Sequence, residues 1–157
     1  MTEKINEDGM KIVYPREQWC IACNLCEVAC MTEHSRTKDP LRAYLIEKPR
    51  PVSRTKVEYL PPVAVSVMCR HCAEAECVEA CKNGTLTRDE KTGKIELDRD
   101  KCLGCWMCIM ACPYGVITQV RKEEKAVANK CDLCPDREIP ACVAVCPNRA
   151  LVFEDRG

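Results

Sequence analysis

Apolar positions along this chain form short runs that polar turns separate. Five stretches of three to six residues alternate in polarity or are rich in β-branched side chains, the pattern of short β-strands. These predicted strands cover residues 11–14, 63–68, 94–97, 116–121 and 151–153. Residues 87–98, with the turn-forming run Lys91-Thr92-Gly93 in the middle, predict a β-hairpin. The pattern therefore predicts a fold of small strands joined by tight turns.

Composition changes this interpretation, because the chain has few apolar residues other than cysteine with which to form a core. Cysteine accounts for 16 of the 157 residues, and the aromatic residues are two Trp, one Phe and four Tyr. Without cysteine the apolar fraction falls from 46% to about 36%, which is low for a conventional core. Something other than side-chain packing must help to hold the fold.

Charge and hydropathy exclude several classes of protein. The chain has 24 basic and 24 acidic residues, so it lacks the net positive field that attracts nucleic acid. Its first eight residues are polar and acidic, unlike a secretory signal, and no run approaches the roughly 18 apolar residues of a membrane span. The sequence thus predicts a cytoplasmic protein without direct membrane insertion. Thiols stay reduced in that compartment, which favours metal binding over disulfides.

The cysteines fall into four groups of four, with none left over. In chain order, group one is Cys20, Cys23, Cys26 and Cys30, group two is Cys69, Cys72, Cys77 and Cys81, group three is Cys102, Cys105, Cys108 and Cys112, and group four is Cys131, Cys134, Cys142 and Cys146. Groups one and three have the spacing C-x2-C-x2-C-x3-C, whereas the middle gap widens to four residues in group two and to seven in group four. Pro113 and Pro147 follow the last cysteines of groups three and four.

This spacing is the one that binds [4Fe-4S] clusters in bacterial ferredoxins. Three thiolates on one tight loop can each bind a different iron of a cubane, while the fourth, on the short helix that follows, points away and serves the neighbouring cluster. The chain therefore predicts four [4Fe-4S] clusters, with a short helix between the third and fourth cysteine of each group. Four zinc sites are the alternative, although zinc ribbons separate two C-x2-C pairs by roughly 15 to 20 residues. Disulfides would need an exported chain.

The predicted hairpin joins groups two and three and suggests how the groups are arranged. We expect an α+β fold of two tandem bacterial-ferredoxin-like units, in which short strands and helices wrap around the clusters. The inner unit would be residues 62–122, with groups two and three. The outer unit would be residues 1–61 plus 123–157, with groups one and four.

Residues 35–56 form a basic segment, with seven Lys or Arg against two Asp or Glu and three prolines. We interpret it as an extended connection. It is either a solvated loop or a docking surface for an acidic partner. Each oxidised cluster with its thiolates carries a charge of about −2, which the formal count ignores and nearby Lys and Arg can offset.

Three single residues lie close to cysteines in the sequence and could be mistaken for ligands or electron carriers. His71 is interpreted as a residue on the surface or behind the cysteines, with hydrogen bonding that tunes a cluster as the lesser alternative. Trp106 is expected to shield a cluster by packing rather than to relay electrons, and Asp132 to cap its loop rather than bind metal. Motifs for hydrolysis, phosphate binding or dinucleotide binding are missing, so no catalytic residue is predicted.

Residues 19–153 resemble the four-cluster ferredoxin-like electron-transfer subunits of anaerobic oxidoreductases. The run CIACNLCEVAC, the following Glu33-His34-Ser35, and the motifs CRHC and CLGCW are similar to the ferredoxin associated with carbon monoxide dehydrogenase. Similar small subunits accompany tungsten aldehyde oxidoreductases, formate dehydrogenases and hydrogenases.

The resemblance implies that ligation is crossed between groups. Groups one and four would exchange their last cysteines, and so would groups two and three. The four ligand sets are then Cys20, Cys23, Cys26 and Cys146; Cys131, Cys134, Cys142 and Cys30; Cys69, Cys72, Cys77 and Cys112; and Cys102, Cys105, Cys108 and Cys81.

The function that these features imply is a one-electron relay between a catalytic oxidoreductase subunit and a second redox partner, without catalysis by the chain itself. A freestanding, diffusible polyferredoxin is an alternative that uses the same residues. A zinc-binding interaction module is the alternative from a different class. Head-to-tail self-association into a longer array is a further hypothesis, because a heterologous contact need not close.

Overall fold

A computed structural model describes residues 10–155. In chain order its elements are β1 (Lys11–Pro15), a 3₁₀ turn (Glu17–Trp19), α1 (Leu25–Glu33), α2 (Pro40–Leu45), β2 (Thr55–Leu60), β3 (Val63–Met68), α3 (Glu76–Ala80), β4 (Leu86–Arg88), β5 (Ile95–Leu97), α4 (Met107–Ala111), β6 (Thr118–Lys122), β7 (Lys125–Asn129), α5 (Ala141–Val145) and β8 (Leu151–Asp155). This is a small mixed structure of short strands and short helices, consistent with a ferredoxin-like [4Fe-4S] fold.

The strands pair as four antiparallel ribbons of two strands each. Three are hairpins of consecutive strands, β2–β3, β4–β5 and β6–β7. The fourth joins the two ends of the described chain, with Lys11 opposite Asp155 and Pro15 opposite Leu151. The predicted hairpin over residues 87–98 is confirmed as β4–β5. Isolated two-stranded ribbons are marginally stable in water, so each ribbon must gain stability from what it packs against.

All four helices predicted between the third and fourth cysteines are present, as α1, α3, α4 and α5. Helix α1 packs against α5, and α3 packs against α4. Groups one and four are therefore brought together by one helix pair, and groups two and three by the other. Within residues 10–155, no helix combines the length and hydropathy needed to cross a bilayer.

The basic segment is more ordered than the sequence suggested, and its description as an extended connection was wrong in part. Helix α2 forms there because Pro40 occupies the first turn and the Arg42 amide donates to Asp39 Oδ1 at 2.8 Å, which are favourable features of a helix start. Glu47 is buried and accepts hydrogen bonds from the Thr37 amide and hydroxyl at 2.8 and 2.7 Å. These contacts fold the segment back on itself.

The interior consists of two clusters of buried apolar residues. The first contains Val13, Cys26, Met68, Cys69, Cys131, Cys142 and Leu151. The second contains Leu86, Ile95, Cys102, Cys108, Ile117, Val127 and Ala128. Cysteine is the commonest residue type among the buried apolar side chains of the described range, so the packing centres on sulfur.

The proposed boundaries of the two units fall in the turns of two hairpins. Residues 61 and 62 lie between β2 and β3, and residues 122 and 123 lie at the β6–β7 turn. Strands of one hairpin would thus belong to different units. The division into units stays a prediction.

Candidate functional site

The first convergence of sulfur atoms lies beneath the N-terminal half of α1. A mostly apolar cavity is lined by Cys20, Cys23 and Cys26 of group one together with Cys146 of group four. Ala22 and Asn24 have φ values of 54° and 59°, a region that non-glycine residues rarely adopt. These two residues turn the loop between the cysteines so that it curls around the cavity. Cys146 reaches it because α5, which it follows, packs on α1.

The second convergence of sulfur atoms joins Cys30, the second of the two cysteines on α1, to three cysteines of group four. Burial raises the pKa of Cys131 to about 12, and the nearby Cys30 thiolate adds to the effect. Burial also raises the pKa of Cys142, and Cys131, Cys30 and Cys134 contribute in that order. Cys30 of group one thus lies near enough to the group-four cysteines to interact with them electrostatically, as the crossed scheme expects.

The last two convergences involve groups two and three. Burial, followed by the charges of Cys69 and Cys112, raises the pKa of Cys77 to about 11. Burial, followed by the charges of Cys102 and Cys81, raises the pKa of Cys108. Cys112 of group three thus acts on a cysteine of group two, and Cys81 of group two acts on a cysteine of group three, as the crossed scheme expects.

Backbone amides point at several of the sulfur atoms. The Arg54 amide lies 3.2 Å from Cys30 Sγ, and the Ala150 amide lies 3.2 Å from Cys146 Sγ. The Ala128 amide lies 3.4 Å from Cys102 Sγ, and the Leu133 amide lies 3.4 Å from Cys131 Sγ. Such donors stabilise a thiolate and help to set the potential of a bound iron–sulfur cluster.

A polar network surrounds Cys30. His34 Nδ1 lies 2.8 Å from the Cys30 carbonyl oxygen and 3.7 Å from its Sγ, and His34 Nε2 lies 3.1 Å from Asp132 Oδ1. Burial opposes a charge on the ring, but the hydrogen bonds to Asp132 and Cys30 outweigh it and raise the pKa of His34 to about 9. Both ring nitrogens face acceptors, which fits an imidazolium at neutral pH.

Asp132 connects this network to the basic segment. It pairs with Arg54 and accepts from the Cys134 amide at 3.2 Å. Burial alone would raise the pKa of Asp132, but the His34 hydrogen bond and the Arg54 charge hold it well below its usual range. The prediction that Asp132 caps its loop is confirmed. Its ion pair with Arg54 was missed, because nothing in the local spacing places residue 54 beside residue 132.

His71 does not lie on the surface, which was one of the two positions expected for it. Its side chain is fully buried, and its Nδ1 accepts a hydrogen bond from the Ile95 amide at 3.0 Å. It therefore connects the loop of group two to β5, and the surface alternative was wrong. Ser66 was also missed in the sequence, and its hydroxyl lies 3.4 Å from Cys26 Sγ.

The thiolate sets fit a [4Fe-4S] cluster better than isolated cations. The crossed sets expected from the sequence would each supply four thiolates, one for each iron of a cubane, with three from one stretch of chain and one from a distant helix end. Arg54 Nε is buried without a hydrogen-bond partner in the described structure. The same guanidinium pairs with Asp132 through another nitrogen, and a cluster beside it would add further negative charge.

The fold and these sulfur-lined sites define an iron–sulfur protein of electron transfer. The chain belongs to the family of the 4Fe-4S dicluster domain, whose model matches residues 61–156. The match spans groups two, three and four, and the domain accounts for two clusters.

Curated relatives agree with this class. The electron transport protein HydN of Escherichia coli K12 is 36% identical, with 88% of this chain and 84% of HydN covered. An iron-sulfur protein of Rhodospirillum rubrum is 35% identical over 92% of this chain and 82% of its own length. The thiosulfate reductase electron transfer subunit PhsB of Salmonella typhi is 35% identical over 87% of this chain and 71% of PhsB.

Proposed function

We propose that this protein relays single electrons through four [4Fe-4S] clusters, held by the four crossed cysteine sets. The cavity that Cys20, Cys23 and Cys26 share with Cys146 is the observation that carries the proposal, since a cysteine 120 residues away in the chain completes that set. The family model accounts for two clusters. The chain has 16 cysteines, which are enough to bind two more.

The contacts among the sets suggest the order of the relay. Cys26, Cys69 and Cys131 lie in the same buried cluster. The charge of Cys69 also acts on Cys131, so the sets that contain these two cysteines would form the middle. Cys23 and Cys105 are exposed, and they belong to the two remaining sets. Those sets would then be the terminal ones, where electrons enter and leave.

Each bound cluster supplies a one-electron carrier whose potential depends on charge, burial and hydrogen bonds to sulfur. The chain's own residues hold the carriers at fixed separations and tune them. Cys69, Cys131, Cys134 and Cys142 are buried and would keep water from the middle of the relay. The Arg54 and Leu133 amides donate to sulfur. No step requires bond chemistry at a protein side chain.

We propose a catalytic oxidoreductase subunit as one partner and a second electron carrier as the other, in the cytoplasm. PhsB is by name an electron transfer subunit of thiosulfate reductase, which supports a subunit role. A carbon monoxide dehydrogenase, a tungsten aldehyde oxidoreductase or a formate dehydrogenase is the kind of partner that the sequence motifs suggest. The freestanding polyferredoxin remains the second candidate, because HydN is named as an electron transport protein without an enzyme.

Metal and sulfide analysis of protein purified without oxygen tests the cofactor. We expect about 16 iron and about 16 inorganic sulfide per chain. About four zinc without sulfide would instead identify the zinc-binding module. About eight iron would reduce the relay to the two clusters of the family domain. Copurification of a large redox enzyme at fixed stoichiometry separates the subunit from the diffusible carrier.

A further inference from the structure

Lys130 is a buried lysine that lies between β7 and the first cysteine of group four. Its residue is 2% exposed, and its Nζ donates to the Cys131 carbonyl oxygen at 2.7 Å. Among residues 10–155, no carboxylate lies within ion-pair distance of this ammonium group. A buried cation whose acceptor is a neutral carbonyl is costly unless other negative charge is nearby.

The surroundings of Lys130 indicate where that charge comes from. Cys131, the next residue, lies in the same buried cluster as Cys69 of group two. The Lys130 charge lowers the pKa of Cys77 and of Cys131, against the larger effect of burial. Lys130 Nζ is buried against the backbone of Cys131, and Cys131 lies in one buried cluster with Cys69, so the ammonium lies close to the contact between two ligand sets.

The other cations near group four are arranged differently. Arg54 and His34 both pair with Asp132, and Arg99 donates to Asn129 Oδ1. Arg54 and His34 thus share one carboxylate, which offsets one of their two positive charges, whereas Lys130 pairs with no carboxylate among the described residues and donates to a carbonyl oxygen.

We propose that Lys130 is the shared counter-cation of the two middle clusters and that it raises the reduction potential of both. The two clusters are those of Cys69, Cys72, Cys77 and Cys112, and of Cys131, Cys134, Cys142 and Cys30. A fixed positive charge favours the reduced state of a cluster, since reduction adds one negative charge. Lys130 thereby favours an electron at the junction between the two halves of the relay. This inference rests on the proposed four-cluster function.

The test uses holo-protein purified without oxygen and titrated potentiometrically, with the reduced clusters followed by electron paramagnetic resonance. Lys130→Met removes the charge and keeps an unbranched chain of similar length. We expect two of the four centres to become about tenfold harder to reduce, which corresponds to about 59 mV for one electron. Lys130→Arg keeps the charge and should leave all four potentials near those of the wild type. Lys91→Met is the matched control, because Lys91 is exposed at the tip of the β4–β5 hairpin.

The dependence on salt adds a second readout. The shift caused by Lys130→Met should persist at high ionic strength, since a buried charge is screened much less than an exposed one. Full iron content in Lys130→Met with four unchanged potentials would overturn the inference and leave the relay intact. Wild-type protein without iron and sulfide would instead remove the proposed function itself.

Loss of clusters from Lys130→Met is also informative. If Lys130→Arg then retains its iron, the charge is what the clusters need, and the inference is supported. If both variants lose iron equally, the site requires the shape of lysine rather than its charge, and the inference fails.

Discussion

Gly104 occupies a position in the loop of group three that leaves no room for a side chain. Its φ is +69°, and a Cβ built there would lie 2.7 Å from the carbonyl oxygen of Ala126 on β7. The loop that carries Cys102 and Cys105 therefore depends on a close approach to a neighbouring strand.

Replacement of Gly104 by alanine should destabilise the holo-protein by about 2–4 kcal/mol, from the left-handed backbone and the clash together. Gly84→Ala is the control, since Gly84 has a φ of +63° with nothing within 4 Å of the added Cβ, and it should cost about 1 kcal/mol. The visible absorption of the clusters is followed during unfolding in guanidinium chloride without oxygen. The unfolding midpoints of the two variants are then compared. Equal midpoints for both variants would show that the contact with Ala126 is relaxed.

Asp132 holds two cations and one backbone amide, so its charge should matter more than its shape. Asp132→Asn keeps an acceptor for the Cys134 amide but loses the negative charge that pairs with His34 and Arg54. We expect a loss of about 1–3 kcal/mol, less than for a fully buried pair because the Asp132 side chain is 34% exposed. The same denaturation assay measures it.

Asp136→Asn is the control for this prediction, because Asp136 lies four residues further along the same loop and is exposed. Its midpoint should stay near that of the wild type. If Asp132→Asn behaved like Asp136→Asn, the pairing of His34 and Arg54 through Asp132 would not contribute to stability.

The residues around the cysteines show the limit of reading a site from spacing. The sixteen cysteines could all be assigned to groups, because ligand spacing is a local property of the chain. Arg54 and Ser66 could not be placed beside a cysteine, because each reaches one through tertiary packing. Lys130 is next to Cys131 in the sequence, but its burial follows only from the folded chain. His71 shows the same limit, since its burial depends on β5, which lies more than 20 residues further along the chain.

At the scale of elements, helices α1 and α5 carry the nonlocal part of the ligand scheme. Their packing brings Cys30 to group four and Cys146 to group one. The crossed scheme predicts a pattern of iron loss that depends on which cysteines are removed together. Replacement of one ligand by alanine should remove one cluster and leave about 12 iron of about 16.

Pairs of substitutions separate the crossed scheme from an uncrossed one. Cys30→Ala with Cys134→Ala should remove the same cluster twice and still leave about 12 iron, whereas Cys30→Ala with Cys23→Ala should remove two clusters and leave about eight. Iron analysis of the two double variants is sufficient. The opposite result, about eight for the first pair and about 12 for the second, would assign Cys30 to the cluster of its own group.

The sequence predicted the helices and strands that depend on local residue spacing. It did not predict those whose apolar and polar positions lack a regular pattern. The four cysteine helices and the β4–β5 hairpin follow from ligand spacing and turn residues. Strands β2 and β7 were missed. Thr55–Leu60 contains two charged residues and Lys125–Asn129 contains two alanines, and each strand pairs with the adjacent one. Helix α2 was missed because its exposed face is apolar, with Leu41 and Leu45 71% and 68% exposed, whereas the usual amphipathic pattern buries that face.

At the scale of the whole molecule, the fold should depend on its metal. The proposed sets connect residues that are far apart in the chain, and much of the buried apolar surface is cysteine. Burial raises the pKa of Cys131 to about 12 and of Cys77 to about 11. Without iron these thiols would be protonated, and the sulfur-centred packing would lose the bonds that hold its loops together.

Removal of iron by a chelator under reducing, oxygen-free conditions should therefore unfold most of the described structure. We expect loss of the far-ultraviolet circular dichroism of the short strands and helices, together with rapid proteolysis across both buried clusters, because two-stranded ribbons are marginal on their own. Reconstitution with iron and sulfide should restore both signals. Protein exposed to the same chelator under conditions that leave its iron in place is the control for the reagent. A metal-free chain that kept native circular dichroism and protease resistance would show that side-chain packing alone suffices, and that the clusters serve electron transfer without holding the fold.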